Sequence, residues 1–257
     1  MASTVIGKQA VVIGAGMAGL TAAGALSDRF DQVVVLERDT LPSEPAHRAG
    51  TPQARHVHAL LLSGQRALSE LFPGFEQDLA RAGAVPLRAG LDVRVERPGY
   101  DPFPQRDLGW FGYAASRPTI ERAVRRRVES RGNTTLYQRC RVQEVLATPN
   151  GDEVTGVRYE NGDGASETIA ADLVVDASGR GALTLALLQS IGRALPEETT
   201  IGIDLGYATC VFAIPDDAST DWKGVMTFGQ APQKQPWRPD VAARGQPLDG
   251  DHWWAPW

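Results

Sequence analysis

The stretch Gln9-Ala10-Val11-Val12-Ile13-Gly14-Ala15-Gly16-Met17-Ala18-Gly19-Leu20 decides the fold. Its first five residues form a short apolar run with β-branched side chains, as a buried parallel strand requires. A Gly-x-Gly-x-x-Gly pattern follows at Gly14, Gly16 and Gly19, and an Ala/Leu-rich helix is predicted over 17–27. A second buried strand is predicted over 32–36, so strand, helix and strand fall within about thirty residues, the size of a βαβ unit. Gly14 permits the tight turn, Gly16 lets the backbone approach a pyrophosphate, and Gly19 lets helix and strand pack closely. The helix start offers free N–H donors and a partial positive charge to phosphate. Glu37 ends the second strand 18 residues after Gly19, where an acidic side chain can accept hydrogen bonds from a ribose diol. Arg38 beside it can accommodate a 2′-phosphate, which Glu37 would repel. These residues specify a dinucleotide; by themselves they do not separate FAD from NAD.

Beyond this unit the pattern stays mixed. Residues 41–53 read as a Pro/Gly loop, and 57–72 as a helix with Leu60, Leu61, Leu68 and Leu71 facing inward. Leu91, Val93 and Val95 alternate with Asp92, Arg94 and Glu96, the two-residue period of a half-buried strand. A basic amphipathic helix is predicted over 119–131, with Pro118 suited to its opening and Arg125-Arg126-Arg127 on its solvated face. Strands are expected over 134–137 and 141–147. Asn150-Gly151 then reads as a hairpin turn into a strand over 154–159. A buried strand over 172–176, a helix over 183–190 and a strand near 203–214 complete the pattern.

The 257 residues are 42% hydrophobic and 22% charged, enough for a sizeable core. A net charge of −5 provides no basic surface for nucleic acid or anionic membrane. The apolar start over 10–26 is broken by four glycines and followed by Asp28 and Arg29, unlike a signal peptide. No segment is apolar for long enough to span a bilayer. Cys140 and Cys210 stand at no metal or redox spacing and read as buried packing residues of a reducing, cytoplasmic setting. His56 and His58, two apart, point to opposite sides and have no further ligand at metal spacing. No metal site is expected.

Three later segments carry a family likeness. Val33-Val34-Val35-Leu36-Glu37-Arg38, then Arg117-Pro118-Thr119-Ile120-Glu121, then Asp172-Leu173-Val174-Val175-Asp176-Ala177-Ser178-Gly179-Arg180 occur in order. Together they resemble the flavin-dependent monooxygenases typified by p-hydroxybenzoate hydroxylase. Gln53-Ala54-Arg55-His56-Val57-His58-Ala59-Leu60-Leu61 resembles the bacterial epoxidase- and hydroxylase-like members. The resemblance covers about residues 8–235 and implies an α/β fold: a Rossmann-type FAD-binding domain with a parallel sheet, plus an incomplete antiparallel-sheet substrate domain. It places the FAD-binding domain at 1–84 and 113–198, and the partial substrate domain at 85–112 and 199–235. It implies Glu37 on the adenosine ribose, Arg117 beside the pyrophosphate or ribityl chain, and Arg55 and His56 near the flavin. Asp176 falls in a second fingerprint whose usual form is Asp-Gly; Asp-Ala-Ser-Gly here matches the variant of related flavin reductases and halogenases. The alternative reading of Arg55, Arg117 and Asp176 is surface charge or helix capping. The implied activity is oxygenation of a small organic substrate with FAD, NAD(P)H and O₂. Because the cofactor carries the difficult chemistry, no acid–base residue is nominated as catalytic.

The resemblance also implies a longer protein, with a Gly-Asp segment on the ribityl and pyrophosphate that this sequence lacks. A site without that wall is expected to bind FAD weakly. Two other readings therefore stand: a flavin or nicotinamide dehydrogenase or reductase without oxygen activation, and a truncated, non-catalytic nucleotide-binding product. From Pro236 the pattern stops, and residues 236–257 hold Trp237, Trp253, Trp254 and Trp257 without a period. Shifting the reading frame by one base permits a flavoprotein-like strand in their place, so this tail is expected to be out of frame, the alternative being a Trp/Pro-rich disordered or partner-binding tail. Sequencing the gene and its downstream region checks this: the expected result is a flavoprotein-like continuation in the shifted frame. An immediate stop there contradicts it.

Overall fold

The computed structural model describes residues 4–97, 99–204, 206–213, 215 and 220–228. The tail over 236–257, with the frame-shift expectation attached to it, lies outside the described residues. In chain order the elements are β1 (Gly7–Ile13), α1 (Met17–Leu26), β2 (Phe30–Glu37), a 3-10 turn (Pro52–Arg55), α2 (Leu62–Leu71) and α3 (Phe75–Arg81). Then come β3 (Val85–Arg88), β4 (Val93–Glu96), β5 (Phe111–Ala114), α4 (Arg117–Glu129), β6 (Thr134–Gln138) and β7 (Arg141–Ala147). The series closes with β8 (Val154–Glu160), β9 (Ser166–Ala170), β10 (Leu173–Asp176), α5 (Ala182–Ser190) and β11 (Gly224–Thr227). They group into two compact units, Met1–Pro52 with Glu121–Asp204, and Gln53–Ile120 with Leu205–Trp257.

The first unit is organised by a four-stranded sheet in the order β10-β1-β2-β6. All three pairings are parallel. Such a sheet is covered on both faces, which is why Ala10–Ile13 and Val33–Leu36 are continuous apolar runs and are buried. On one face Val11, Ile13, Val34 and Leu36 meet Cys140, Val145, Val157, Tyr159 and Ala171. Those partners come mostly from β7-β8-β9, an antiparallel meander. The strand period turns Ala10, Val12, Val33 and Val35 to the opposite face, and α1 packs on β1 and β2 with Leu20 and Ala23 fully buried. Each fully buried Val or Leu contributes about 1.5–3 kcal/mol relative to exposure. Strand order reverses at β1, between β2 and β10, which is where an open α/β sheet leaves a crevice at its carboxyl edge.

The second unit contains α2 and α3, the antiparallel pair β3-β5 and the parallel pair β11-β4. Gln65, buried on α2, donates to Glu76 Oε1 at 2.8 Å and accepts from Tyr113 N–H at 3.0 Å, joining both helices to β5. Among the described residues no helix is long and apolar enough to cross a membrane.

Most of the sequence expectations hold, but several differ from the structure. The helix predicted from residue 57 begins only at Leu62, and Leu61 is 69% exposed. Before it, the His58 ring bonds the His56 carbonyl at 2.9 Å, a local contact that competes with helix formation. No strand forms over the described part of 203–214, where Ile203 and Tyr207 are exposed and no neighbouring strand pairs with them. Arg125 is buried rather than solvated, donating to the Pro42 carbonyl oxygen. Cys210 is exposed, whereas Cys140 is buried as expected. The hairpin read at Asn150-Gly151 forms, joining the antiparallel pair β7 and β8 with Gly151 at φ +71°. Five short elements, α3, β3, β5, β9 and β11, carry too little periodicity to be read from sequence.

The two-residue period puts Asp92 on the polar face of its strand, yet it is 5% exposed. It accepts the Arg88 N–H at 2.7 Å, Arg88 Nη2 at 3.1 Å and Lys223 Nζ at 3.1 Å. Burial alone would raise its pKa; the Arg88 hydrogen bonds and the Lys223 ammonium overcome this and hold it down at about 2. A carboxyl depressed in the fold stabilises above its unfolded pKa and loses that contribution as pH falls through the folded value. Urea unfolding should therefore show the wild-type midpoint dropping between about pH 4 and pH 2, with a flatter profile for Asp92→Asn.

Candidate functional site

The turn between β1 and α1 sits at the carboxyl edge of the parallel sheet. Gly14 adopts φ +98°, and a Cβ there would lie 2.7 Å from the Ala177 carbonyl oxygen. Ala177 N–H bonds the Ile13 carbonyl at 2.9 Å, so the ends of β1 and β10 close tightly around this residue. A Cβ on Gly19 would lie 1.8 Å from the Gly14 carbonyl oxygen, so helix and turn meet without room for any side chain. Gly16 differs. A Cβ there would meet nothing within 4 Å. Its backbone is extended, it is the N-cap of α1, and no side chain caps the helix. Two glycines enforce close packing and the third faces open space, with uncapped helix donors behind it. The cradle fits a pyrophosphate.

Glu37 closes the other side of the turn. Its side chain is buried, accepting Ala15 N–H at 2.7 Å on Oε2 and Asp39 N–H at 2.9 Å on Oε1. Arg48 Nη1 stands 3.3 Å from Oε2. An ionised carboxylate offers about four acceptor positions, so three contacts leave room for one ribose hydroxyl.

Arg48 is the residue that sequence reasoning missed. It comes from the Pro/Gly loop after β2, yet its side chain is 5% exposed. Its Nη1 donates to Asp39 Oδ2 at 2.8 Å, Nε to Glu121 Oε1 at 2.9 Å and Nη2 to the Ala15 carbonyl at 3.1 Å. One guanidinium thus ties the phosphate turn, the end of β2 and α4 together. Burial disfavours its charge, but the Glu121 and Asp39 hydrogen bonds and the Glu37 charge raise its pKa above the ordinary value. The sequence signal was faint: three acids, Glu37, Asp39 and Glu121, with no assigned cation.

Asp176 ends β10 and bonds within its own turn, accepting Ser178 N–H at 3.0 Å, Thr184 N–H at 3.2 Å and Thr184 Oγ1 at 2.7 Å. Burial raises its pKa, and these Ser178 and Thr184 bonds bring it below the ordinary carboxylate value. Arg38, beside Glu37, is 64% exposed at its side chain. In the second unit, Arg55 ends the 3-10 turn and is exposed. The His56 ring Nδ1 lies 3.0 Å from Thr209 Oγ1, with the ring 6.2 Å from that of Tyr207. Arg117 opens α4, whose start is organised by Ser116 Oγ, 2.8 Å from Thr119 Oγ1 and accepting Thr119 N–H at 3.2 Å. The described residues hold no group of three or more His, Cys, Asp or Glu that could take a metal ion.

The model of an FAD binding domain matches residues 8–201. The chain belongs to the FAD-binding domain family. This FAD-binding domain is 40% identical to Protein Rv3254 of Mycobacterium tuberculosis over 215 residues, 80% of this chain and 45% of that protein. Among solved structures it is similar to pqsL of Pseudomonas aeruginosa, a probable FAD-dependent monooxygenase. The TM-score there is 0.52 at 16% identity, covering 76% of this chain and 48% of pqsL. A flavoprotein/dehydrogenase of Cytophaga hutchinsonii gives 0.50 at 18% identity, covering 75% of this chain and 44% of that one. The FAD-binding domain described here spans less than half the length of each of these relatives. At these identities the two structures speak for the fold alone.

The three glycines separate packing from binding. Gly19→Ala should destabilise the fold by at least about 1–3 kcal/mol, because the clash is with backbone. Gly16→Ala should leave the urea midpoint within experimental error yet lower FAD affinity about tenfold or more, the added methyl standing where phosphate must approach. Arg48→Ala should cost about 3–5 kcal/mol by leaving buried carboxylates without their cation. Paired denaturation and flavin-binding curves on the three variants check all of this.

Proposed function

We propose that this chain is the nucleotide-binding portion of an FAD-dependent oxidoreductase of the monooxygenase type, acting in the cytoplasm on a small organic substrate with NAD(P)H and O₂. The observation that carries the reading is the open space over Gly16, framed by the tightly packed Gly14 and Gly19 at an uncapped helix start. Family membership supports FAD as its occupant. The oxygenating character rests on the three motif segments read in the sequence.

Each residue has a defined task. Backbone N–H groups at the start of α1 take the pyrophosphate, helped by the helix dipole. Glu37 accepts a ribose hydroxyl, its orientation fixed by Ala15 N–H and Arg48. Asp176 holds the turn after β10 in shape through Thr184, so that Ala177 closes on Gly14. Arg38 stands beside Glu37 in the first unit, and Arg55, His56 and Arg117 of the second unit are the further cofactor-binding residues that the family resemblance implies. FAD, when bound, would supply the redox and oxygen chemistry with NAD(P)H as reductant, while the protein would position cofactor and substrate and limit water.

The full chain, purified and incubated with FAD, should show flavin absorbance that persists through gel filtration. With a suitable aromatic or alkene substrate, NADPH oxidation should be stimulated and matched by O₂ uptake. Electron transfer without oxygenated product favours a dehydrogenase or reductase instead. Tight NADPH binding with no FAD binding overturns the reading.

A further inference from the structure

The turns of the β7-β8-β9 meander carry two chemically reactive pairs. The chain has three asparagines, Asn133, Asn150 and Asn161, and glycine follows the last two. A glycine has no side chain to shield its backbone nitrogen, which can therefore reach the carboxamide carbon of the asparagine before it. Asn150-Gly151 and Asn161-Gly162 share this chemistry. They differ in how the fold holds each side chain.

Asn161 is fixed at both ends of its carboxamide. Its Nδ2 donates to Glu167 Oε1 at 2.5 Å, and its Oδ1 accepts Asp163 N–H and Ala165 N–H, each at 3.0 Å. The Tyr159 hydroxyl, at 2.5 Å, and Asn161 itself lower the Glu167 pKa, so the acceptor stays ionised. The Arg139 guanidinium lies against Gly162, where a Cβ would stand 3.0 Å from its Cζ. Asn133 is held as firmly, its Nδ2 donating to the Ser27 and Phe30 carbonyls at 2.8 and 2.9 Å. The residue after it, Thr134, is β-branched and crowds the backbone nitrogen.

Asn150 is exposed at the tip of the β7–β8 hairpin. Its Nδ2 donates to Asp152 Oδ2 at 2.8 Å, but its Oδ1 is 3.4 Å from the Asp152 nitrogen, too long to hold it well. Gly151 N–H bonds the Thr148 carbonyl at 2.8 Å, and a single bond at a solvent-exposed tip opens readily. Glycine is required at 151, because φ is +71° and a Cβ would lie 2.9 Å from Ile191 Cβ. The turn thus demands the very residue that makes its neighbour reactive. We propose that Asn150 deamidates spontaneously in the folded protein, while the fold protects Asn161. The Gly151 nitrogen bonds to Asn150 Cγ, the Cγ–Nδ2 bond breaks, and Nδ2 leaves as ammonia with the Gly151 proton. Water then opens the cyclic imide at either carbonyl, giving aspartate or isoaspartate at position 150, with nothing oxidised or reduced. The product sets a second carboxylate beside Asp152, whose Oδ1 accepts Arg193 Nη2 at 3.3 Å.

Ageing the full chain in warm, mildly alkaline buffer, followed by trypsin digestion and mass spectrometry, tests this. Cleavage after Arg141, Arg158 and Arg180 puts Asn150 and Asn161 on separate peptides, 142–158 and 159–180. In the folded protein, position 150 should gain the mass of deamidation at least about tenfold faster than position 161, whose further hydrogen bonds must break before the ring can close. Isoaspartate should appear at 150 alongside aspartate, the mark of the imide. In concentrated urea, where both turns are lost, the two rates should converge. Equal rates in the folded protein overturn the proposal, as does a position 150 that stays intact while the unfolded chain reacts. Aspartate without isoaspartate overturns the imide route, and a rate difference that persists in urea overturns protection by the fold.

Discussion

The 2.7 Å hydrogen bond from Ala15 N–H to the Glu37 carboxylate is the contact on which the site depends. It joins the phosphate turn to the end of the neighbouring strand. Because the carboxylate is buried, an uncompensated charge there would be costly. Arg48 supplies the compensation, and by reaching Asp39, Glu121 and the Ala15 carbonyl it draws the loop after β2 and the helix α4 into the same cluster. The loop over 41–51, rich in proline and glycine, is thereby anchored by charge rather than by apolar burial.

The same turn shows how glycine serves opposite ends. At Gly14 and Gly19 the neighbouring backbone comes so close that a Cβ could not exist. At Gly16 there is space, and it opens at a helix N-terminus with unsatisfied donors. The parallel sheet enforces this geometry, since the register Ile13↔Asp176 on one side and Ile13↔Leu36 on the other brings three strand ends to one edge. The proposed phosphate binding would then be a property of backbone placement, with the side chains around it acting mainly by holding that backbone still.

The parts of the fold legible in sequence were those with strong local signals. β1, α1 and β2 follow from a continuous apolar run, a glycine pattern and a second run; β4 follows from period-two alternation, and the β7–β8 hairpin from its Asn150-Gly151 turn. Arg48, Arg125 and Asp92 were not legible, because each is a charged residue buried through partners distant in sequence: Glu121 lies 73 residues from Arg48, and Lys223 lies 131 from Asp92. Composition argues that such residues face water; only the tertiary arrangement supplies the compensating charge. The predicted strand near 203–214 failed for the converse reason. Its apolar residues have a strand-like composition but no neighbouring strand among the described residues to complete a ladder.

If the Glu37-held turn is the dinucleotide cradle, FAD must bind the folded state and stabilise it by mass action. Thermal unfolding of the full chain across a range of FAD concentrations measures this directly. The wild-type Tm should climb steadily with FAD, and the climb should be much shallower for Glu37→Gln, which keeps the shape but lacks the charge that pairs with Arg48. A wild-type Tm indifferent to FAD, or an equal climb in the variant, would contradict the account.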